Sequence, residues 1–419
     1  MDAKILNEDS SGITIQITIP FSEGMLDTEE AIQQAVNQAG LIATERSLSR
    51  YDTDGSPIKV GEKKYTSKGT VSKTYQCPFG EFELCRHVYQ SNEGGATYCP
   101  LDRDGRVLVF STPKFAKMVS SKYSQMGAEQ VQRDLRDNHR RSVSRNYIQT
   151  ISRATAEVAV ENQHWRYTSG VSASDVSSIG VSLDGTCMLI VEDGWRQAMV
   201  GSISLYDSQG ERLHTDYIAQ PPEYGKKTFY SEFAGEIERM KKNYPNVTVV
   251  GVADGAADNW TFLEPLTDVQ VLDYFHAGEY LAKVATAAFK EKAEAGEWLA
   301  GARHTLKHEQ KGAYLLIAEM QNLIKRKISE VKKTEIKTAI TYFSNHGEMM
   351  KYPEYLSKNI PIGSGVIEAA CKIIIKQRMC NSGMRWSDSG AKNVLVLRCF
   401  NETDGKWKQF WDKISKMGY

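Results

Sequence analysis

The chain opens on a strict alternation. Ile13, Ile15, Ile17 and Ile19 recur every second residue in GITIQITIP, the mark of a half-buried strand over residues 12–20. Thr28, with Glu29 and Glu30 in the following turn, predicts a helix capped there and running to about Arg50. From Asp52 to Leu108, glycines punctuate short β-prone runs and predict a small β-rich module. The pattern then turns helical from Pro113 to Tyr167. It predicts a helix near Ala128–Asn138, a polar break at His139–Ser142 and a long helix from about Ser144. Two helices joined by a short turn, with Arg140, Arg141, Arg145 and Arg153 on or near the second, form a helix-turn-helix pattern suited to DNA. A helical hairpin packed on a core would give the same pattern.

Three strand-like runs follow, at 178–191, 197–206 and 211–219. The turn-prone Asp193–Gly194 and Ser208–Gly210 separate them, so an antiparallel meander is expected. Phe229, Phe233, Ile237 and Met240 then fall on one helical face. The continuous apolar run Val247–Ala253 reads as a strand buried in the centre of a sheet. Crossing back through that helix can set the strand ending at Asp254 beside the one carrying Asp184, which is the element order of an RNase H-like domain. The chain is then mostly helical to about Gly347. The expected fold is a multidomain α/β protein, an RNase H-like core with a mixed five-stranded sheet interrupted by an all-α insertion. Its expected divisions are a β-rich module at 1–112, the helix-turn-helix region at 113–168, core at 169–290, insertion at 291–350, core again at 351–400 and a tail at 401–419.

Bulk properties narrow the setting. A length of 419 residues is too great for one core. No apolar stretch approaches the roughly 20 residues that span a bilayer, and the first residues lack a signal-peptide pattern. Seven scattered cysteines suggest reduced thiols in a cytoplasmic protein. Net charge is zero but unevenly spread. Residues 113–168 hold ten Lys/Arg against five Asp/Glu, and residues 351–419 twelve against six, whereas residues 171–280 hold seven against seventeen. Basic flanks around an acidic middle fit DNA-gripping segments about a metal-binding centre, and chance variation between solvated faces fits equally well.

Three carboxylates stand out within that middle and beyond it. Asp184 interrupts an apolar strand, Asp254 closes one, and Glu368 lies just inside a helix introduced by IPIGSG. Asp184 and Asp254 each precede a glycine, so a turn role explains either one alone. A turn role does not suit Glu368. With Ser364 as cap, Glu368, Lys372 and Lys376 share one helix face, as a metal ligand with two phosphate-binding lysines or as a plain intrahelical Glu–Lys pair. Carboxylates brought together by a fold can bind two Mg²⁺ or Mn²⁺ ions, which serve in-line phosphoryl displacement. Asp273 and His276, three apart at a helix start, are an accessory pair or a cap and a packed histidine. Trp260, Trp386, Arg378 and Arg385 are candidates for stacking on bases or contacting phosphate, though core packing is the ordinary fate of a tryptophan. Cys77, Cys85, His87 and Cys99 lack the paired spacing of a structural zinc site.

The stretch IGSGVIEAACKIIIKQRMCNSGMRWSDSGAKNVLVLRCF resembles the C-terminal signature of ISKra-type insertion-sequence transposases, members of the DDE group. SLDGT, VADGAADNW and DYFHAGEYL are similar to that family's first acid, second acid and following Asp-x-x-His. RHVYQSNEGGATYCPLD and MGAEQVQRDLRDNHRRSVSRNYIQTIS also resemble family segments, so the likeness covers roughly residues 50–415. It implies Asp184, Asp254 and Glu368 as catalytic metal ligands, His276 and Asp273 as accessory groups and a helical insertion before Glu368. It implies cleavage and strand transfer of double-stranded DNA at terminal inverted repeats and into target DNA, by a dimer or larger assembly in the bacterial nucleoid. The paired cysteines that some relatives carry near the N-terminus are missing. A nuclease or resolvase without strand transfer, or a silent DNA-binding regulator, are the alternatives.

Overall fold

The computed structural model describes residues 3–419, which divide into two compact units, residues 3–167 with 407–419 and residues 168–406. In the first unit, β1 (Ala3–Glu8) and β2 (Ile13–Ile17) pair antiparallel. The alternation marked only the second of them, because β1 is exposed along nearly its whole length and has no apolar period to read. The following helix runs Met25–Ser49 with Gly24 at its N-cap. Thr28 therefore lies inside the helix instead of capping it, and its hydroxyl donates back to the Gly24 carbonyl (3.0 Å). Strands β3 (Ile58–Val60), β4 (Lys63–Cys77) and β5 (Gly80–Ser91) form an antiparallel sheet whose apolar side holds Tyr75, Cys77 and Phe82 against Leu48, Leu101 and Val107.

Three helices complete the N-terminal part of this unit, Pro113–Gln125, Ala128–His139 and Arg145–Glu161. The last packs on both others through buried Ile148, Ile151 and Val158. The break between the second and third falls where the polar run predicted it, with Arg140 left-handed (φ 51°) as C-cap and Ser144 capping the next helix from its side chain. In the C-terminal helix Lys406–Met417, Phe410, Trp411 and Ile414 are buried, and Phe410 meets Trp165.

The second unit is built on a mixed five-stranded sheet, in the order β10-β9-β6-β7-β8. Strands β6 (Ser178–Ile190), β7 (Gly194–Tyr206) and β8 (Arg212–Gln220) form the expected antiparallel meander. The helix Lys227–Asn243 then crosses to β9 (Thr248–Ala253), parallel to β6, and a second crossing leads to β10 (Val269–Leu272), parallel to β9. Phe229, Phe233, Ile237 and Met240 are each no more than 1% exposed beneath the sheet. Full burial of one such side chain stabilises by about 1.5–3 kcal/mol, so this face largely anchors the crossover. Helices Lys292–His308, Gly312–Leu323 and Glu330–His346 pack with the helix Tyr274–Ala288 inside the same unit. Among the described residues no helix is long and apolar enough to cross a membrane.

Candidate active site

The register of the parallel strands decides where the acids stand. β6 pairs with β9 at a constant offset of 70, from Ser178 with Thr248 to Val181 with Gly251. Continued by three residues, that offset sets Asp184 level with Asp254. β9 pairs with β10 at an offset of 19, up to Ala253 with Leu272, and the next step sets Asp254 level with Asp273. The Asp273 N–H donates to the Ala253 carbonyl (2.9 Å), which extends the ladder to that point. Residues in register on neighbouring strands project to one face. Three aspartates thus form a row, two just past the carboxyl ends of β9 and β10 and one midway along β6, at the side of the sheet where open α/β folds place ligands.

Their surroundings differ. Asp184 is half-buried, and one of its oxygens accepts from the Gly185 N–H (2.6 Å). Burial pushes its pKa up, and nearby Asp254 adds to the rise while the Gly185 N–H and Lys376 oppose it. Asp254 accepts from the Ala256 N–H (3.1 Å) and the Asn259 amide (3.0 Å), the turn geometry that an Asp-Gly pair favours. Asp273 is buried and caps its helix by accepting from the Phe275 N–H (3.0 Å).

Glu368 reaches this row from the helix Gly365–Ala370, which packs on β6 and β7. Ser364 is the N-cap residue, yet its hydroxyl does not cap. It lies 2.6 Å from an Asp273 oxygen and 2.9 Å from a Glu368 oxygen, and its N–H also faces Asp273 (3.2 Å). A hydroxyl has one hydrogen to donate. The shorter contact, to Asp273, takes it, and Glu368 is the more loosely held of the two. One turn further, the Cys371 thiol donates to the other Asp184 oxygen (3.7 Å), and burial with Asp184 beside it pushes that thiol's pKa well up. Cys371–Lys376 is a π-helix, a form that recurs at functional sites. Glu368, Lys372 and Lys376 are all exposed, whereas Ile374 and Ile375 are buried.

Other expected site residues are used differently. His276 lies 3.6 Å from Glu279 and its ring meets Tyr280 and Tyr342, beside the row but hydrogen bonded to none of its acids. Trp260 is a core residue, buried within the apolar cluster of the second unit, so it offers no face for a base. Arg378 is 1% exposed, with its guanidinium over the Trp386 ring (5.2 Å) and beside Met384. Burial removes it from phosphate contact. Trp386 is half-buried, donates from its indole to the Met379 carbonyl (2.8 Å) and ladders with the end of β6 through Leu189 and Val191. Only Arg385 of that group is exposed.

In the first unit, Arg141 is buried, donating to the Cys77 carbonyl (3.0 Å) and to Gln76, over the Phe115 ring. It joins the helices to the sheet and is not available to DNA. Arg140 pairs with Glu30, and Arg145 with Glu129 (3.2 Å). These pairs are solvent-exposed, hence weak and easily exchanged for phosphate. Cys77 is buried, Cys85 exposed and Cys99 half-buried, and the His87 ring meets Asp52 (3.0 Å).

The donor chemistry of the row suits a hard divalent cation, since Asp184, Asp254 and Glu368 offer only oxygens. The Tyr342 hydroxyl is buried beside Asp254 and Asp273, and the Gly255 N–H lies close to it without hydrogen-bond geometry. Among the described residues, however, no three His, Cys, Asp or Glu side chains are gathered closely enough to hold a metal ion. The row and the helix bring the acids to one end of the sheet, and a cation would have to draw Glu368 in.

Ser364, Cys371 and Tyr342 had no signal in the sequence as site residues.

No protein-family model matches this chain, and neither does any curated protein. Among solved structures it is similar to the strand transfer complex of the Drosophila P element transposase, at 9% identity and a TM-score of 0.26 over 74% of this chain and 82% of that one. A TM-score of 0.26 is below the level at which two chains share a fold, so the function has to be read from this chain's own residues.

Proposed function

We propose that this chain is a DDE transposase with an RNase H-like catalytic core, which cuts double-stranded DNA at the terminal inverted repeats of its element and joins the freed end to target DNA. The observation that carries the reading is the register row, Asp184 level with Asp254 and Asp273 at one end of the sheet, with Glu368 delivered to it by a late helix. The strand order, an antiparallel meander followed by two parallel strands on the far side of β6, supports the same reading.

Asp184, Asp254 and Glu368 would hold divalent ions, Mg²⁺ or Mn²⁺, which when bound supply the positive charge that assists attack and departure of phosphate oxygens. The remaining work falls to the chain. Lys372 and Lys376, exposed on the turns that follow Glu368, would hold the phosphates flanking the scissile bond, with Arg385 nearby in sequence. Ser364 and Asp273 would set the height of the Glu368 helix over the sheet, and His276 would orient the attacking water or 3′-hydroxyl from the mouth of the row. Exposed Arg145 and Arg153, on the second helix of the helix-turn-helix, would grip the element end. Assembly as at least a dimer on paired ends belongs to the proposal.

The test is incubation of the protein with the DNA that flanks its gene, a target plasmid and Mg²⁺. Metal-dependent nicks at the element ends followed by joined products are expected. Asp184→Asn, Asp254→Asn and Glu368→Gln should each lower cleavage by about 10³-fold while end binding persists. Wild-type cleavage by any of these variants removes that residue from the site. Cleavage without joining makes the chain a nuclease, and binding without any cleavage makes it a regulator.

A further inference from the structure

A groove of about 740 Å³ opens at the same end of the sheet as the row of acids. Its walls come from the start of β7 (Arg196, Gln197), the loop Pro222–Lys226, and the helix Ala257–Leu263, which begins three residues beyond Asp254. Gln197 reaches across to β6, where its side chain occupies the space that a Cβ on Gly185 would need, 2.2 Å from where that atom would stand, on the sheet face opposite to Asp184.

The lining alternates flat rings with cations. Tyr230 stacks on Phe262 (centroids 4.7 Å apart), and Phe262 stacks in turn on buried Phe233 (5.7 Å), which fixes one apolar wall. Opposite stands Tyr224, 87% exposed, with the Arg196 guanidinium 5.0 Å from its ring centre. Gly225 (φ 73°) and Lys226 (φ 52°) are both left-handed, and this tight turn holds Tyr224 out from the surface. Two acids share the rim. Glu223 is committed to the Thr228 N–H and hydroxyl (2.8 Å each), which leaves Asp258 as the acid facing the groove.

Tyr224 presents its ring with the Arg196 guanidinium beside it, a pairing that suits a flat ring carrying a phosphate. The volume lies within the ~300–1,000 Å³ typical of sites for one small ligand. It is too small for a duplex and suits one nucleotide. Stacking on aromatic rings beside backbone-holding cations is how proteins bind unpaired strands.

We infer that this groove takes an unpaired base of a DNA strand that passes the end of the sheet, stacked on Tyr224 against the Tyr230–Phe262 wall, with Arg196 and Lys226 on its phosphates. Asp258 is placed to accept from the base's ring N–H or amino group. The inference rests on the nucleic-acid part of the function proposed above, but not on its chemistry.

Binding can therefore be measured without divalent metal or cleavage, using the full chain and a short thymidine strand carrying one 2-aminopurine. Quenching of the 2-aminopurine on binding is expected. Tyr224→Ala should weaken binding about 5- to 150-fold, and Tyr224→Trp should restore it. Arg196→Ala should weaken binding and lower the salt dependence by about one phosphate contact. Because Tyr224 is almost wholly exposed, its substitution leaves the fold intact, which the melting temperature checks. Wild-type binding by both alanine variants overturns the inference. So does equal affinity for deoxyadenosine monophosphate, which points to a free nucleotide, or for a blunt duplex. If cleavage fails but Tyr224-dependent strand binding persists, the transposase reading falls and the subsite stands.

Discussion

One sheet treats two of its carboxylates in opposite ways. On β8, at the antiparallel edge, Asp216 is buried among Arg239 (3.5 Å), Lys406 (3.7 Å) and His214 (3.8 Å). Lys406 first and then its other partners outweigh the burial penalty, and its pKa is lowered to about 2. On the parallel side, partial burial raises the pKa of Asp184, and the aspartate beside it adds to the rise. Compensated charge holds β8 to the elements around it. Charge left against like charge is costly to the empty fold, and is the condition under which a cation would bind.

Exchanging the two treatments gives the largest effects. Asp216→Ala should cost about 3–5 kcal/mol in denaturant unfolding, since it removes the buried carboxylate that Arg239, Lys406 and His214 share. Asp254→Asn should instead leave stability nearly unchanged while cleavage falls by about 10³-fold. If the two variants behave alike in both assays, the contrast is lost.

A smaller effect is expected where the two kinds of acid meet. Ser364→Ala removes the hydroxyl that stands between Asp273 and Glu368 and should lower cleavage about 10–100-fold, as loss of a ligand's hydrogen-bond partner does. Ser364→Thr should recover most of it. The Mg²⁺ concentration needed for half-maximal rate should rise in the alanine variant, and an unmoved metal requirement would assign Ser364 to packing alone.

The acid limb of stability sharpens the comparison further. Asp216 has a depressed pKa in the fold, so its contribution is complete above the ordinary value of 3.8 and is lost as pH falls from there toward about 2. Asp184 has the opposite sign, since its raised pKa means the ionised form is disfavoured by folding, and the penalty lifts as pH falls through that pKa. Asp184→Asn should therefore raise the melting temperature slightly at neutral pH without divalent ions. Added Mg²⁺ should raise that of the wild type and not of the variant. A melting temperature for Asp184→Asn below that of the wild type would contradict the uncompensated charge.

Much of this was legible along the chain, because strand and helix periods depend only on local order. The meander, the crossover helix with Phe229 to Met240 and the central apolar strand were all readable before any coordinate. So was the pairing of β6 with β9, since a right-handed crossover leaves few alternatives. β1 was not readable, for want of an apolar period. Thr28 looked like a cap because composition cannot distinguish the first turn from the residue before it.

The sequence by itself determined which side chains carry charge and which elements present them: Asp184 and Asp254 on strands, Glu368 with Lys372 and Lys376 on a late helix. Only the tertiary structure decided which of those charges remain available. It buried Arg141 and Arg378 among partners, placed Trp260 in the core and brought Asp273 level with two acids from 89 and 19 residues earlier. The physical reason is that burial and register are long-range properties. A guanidinium has the same chemistry in either place, and whether it meets a carbonyl or a phosphate depends on what distant chain folds over it.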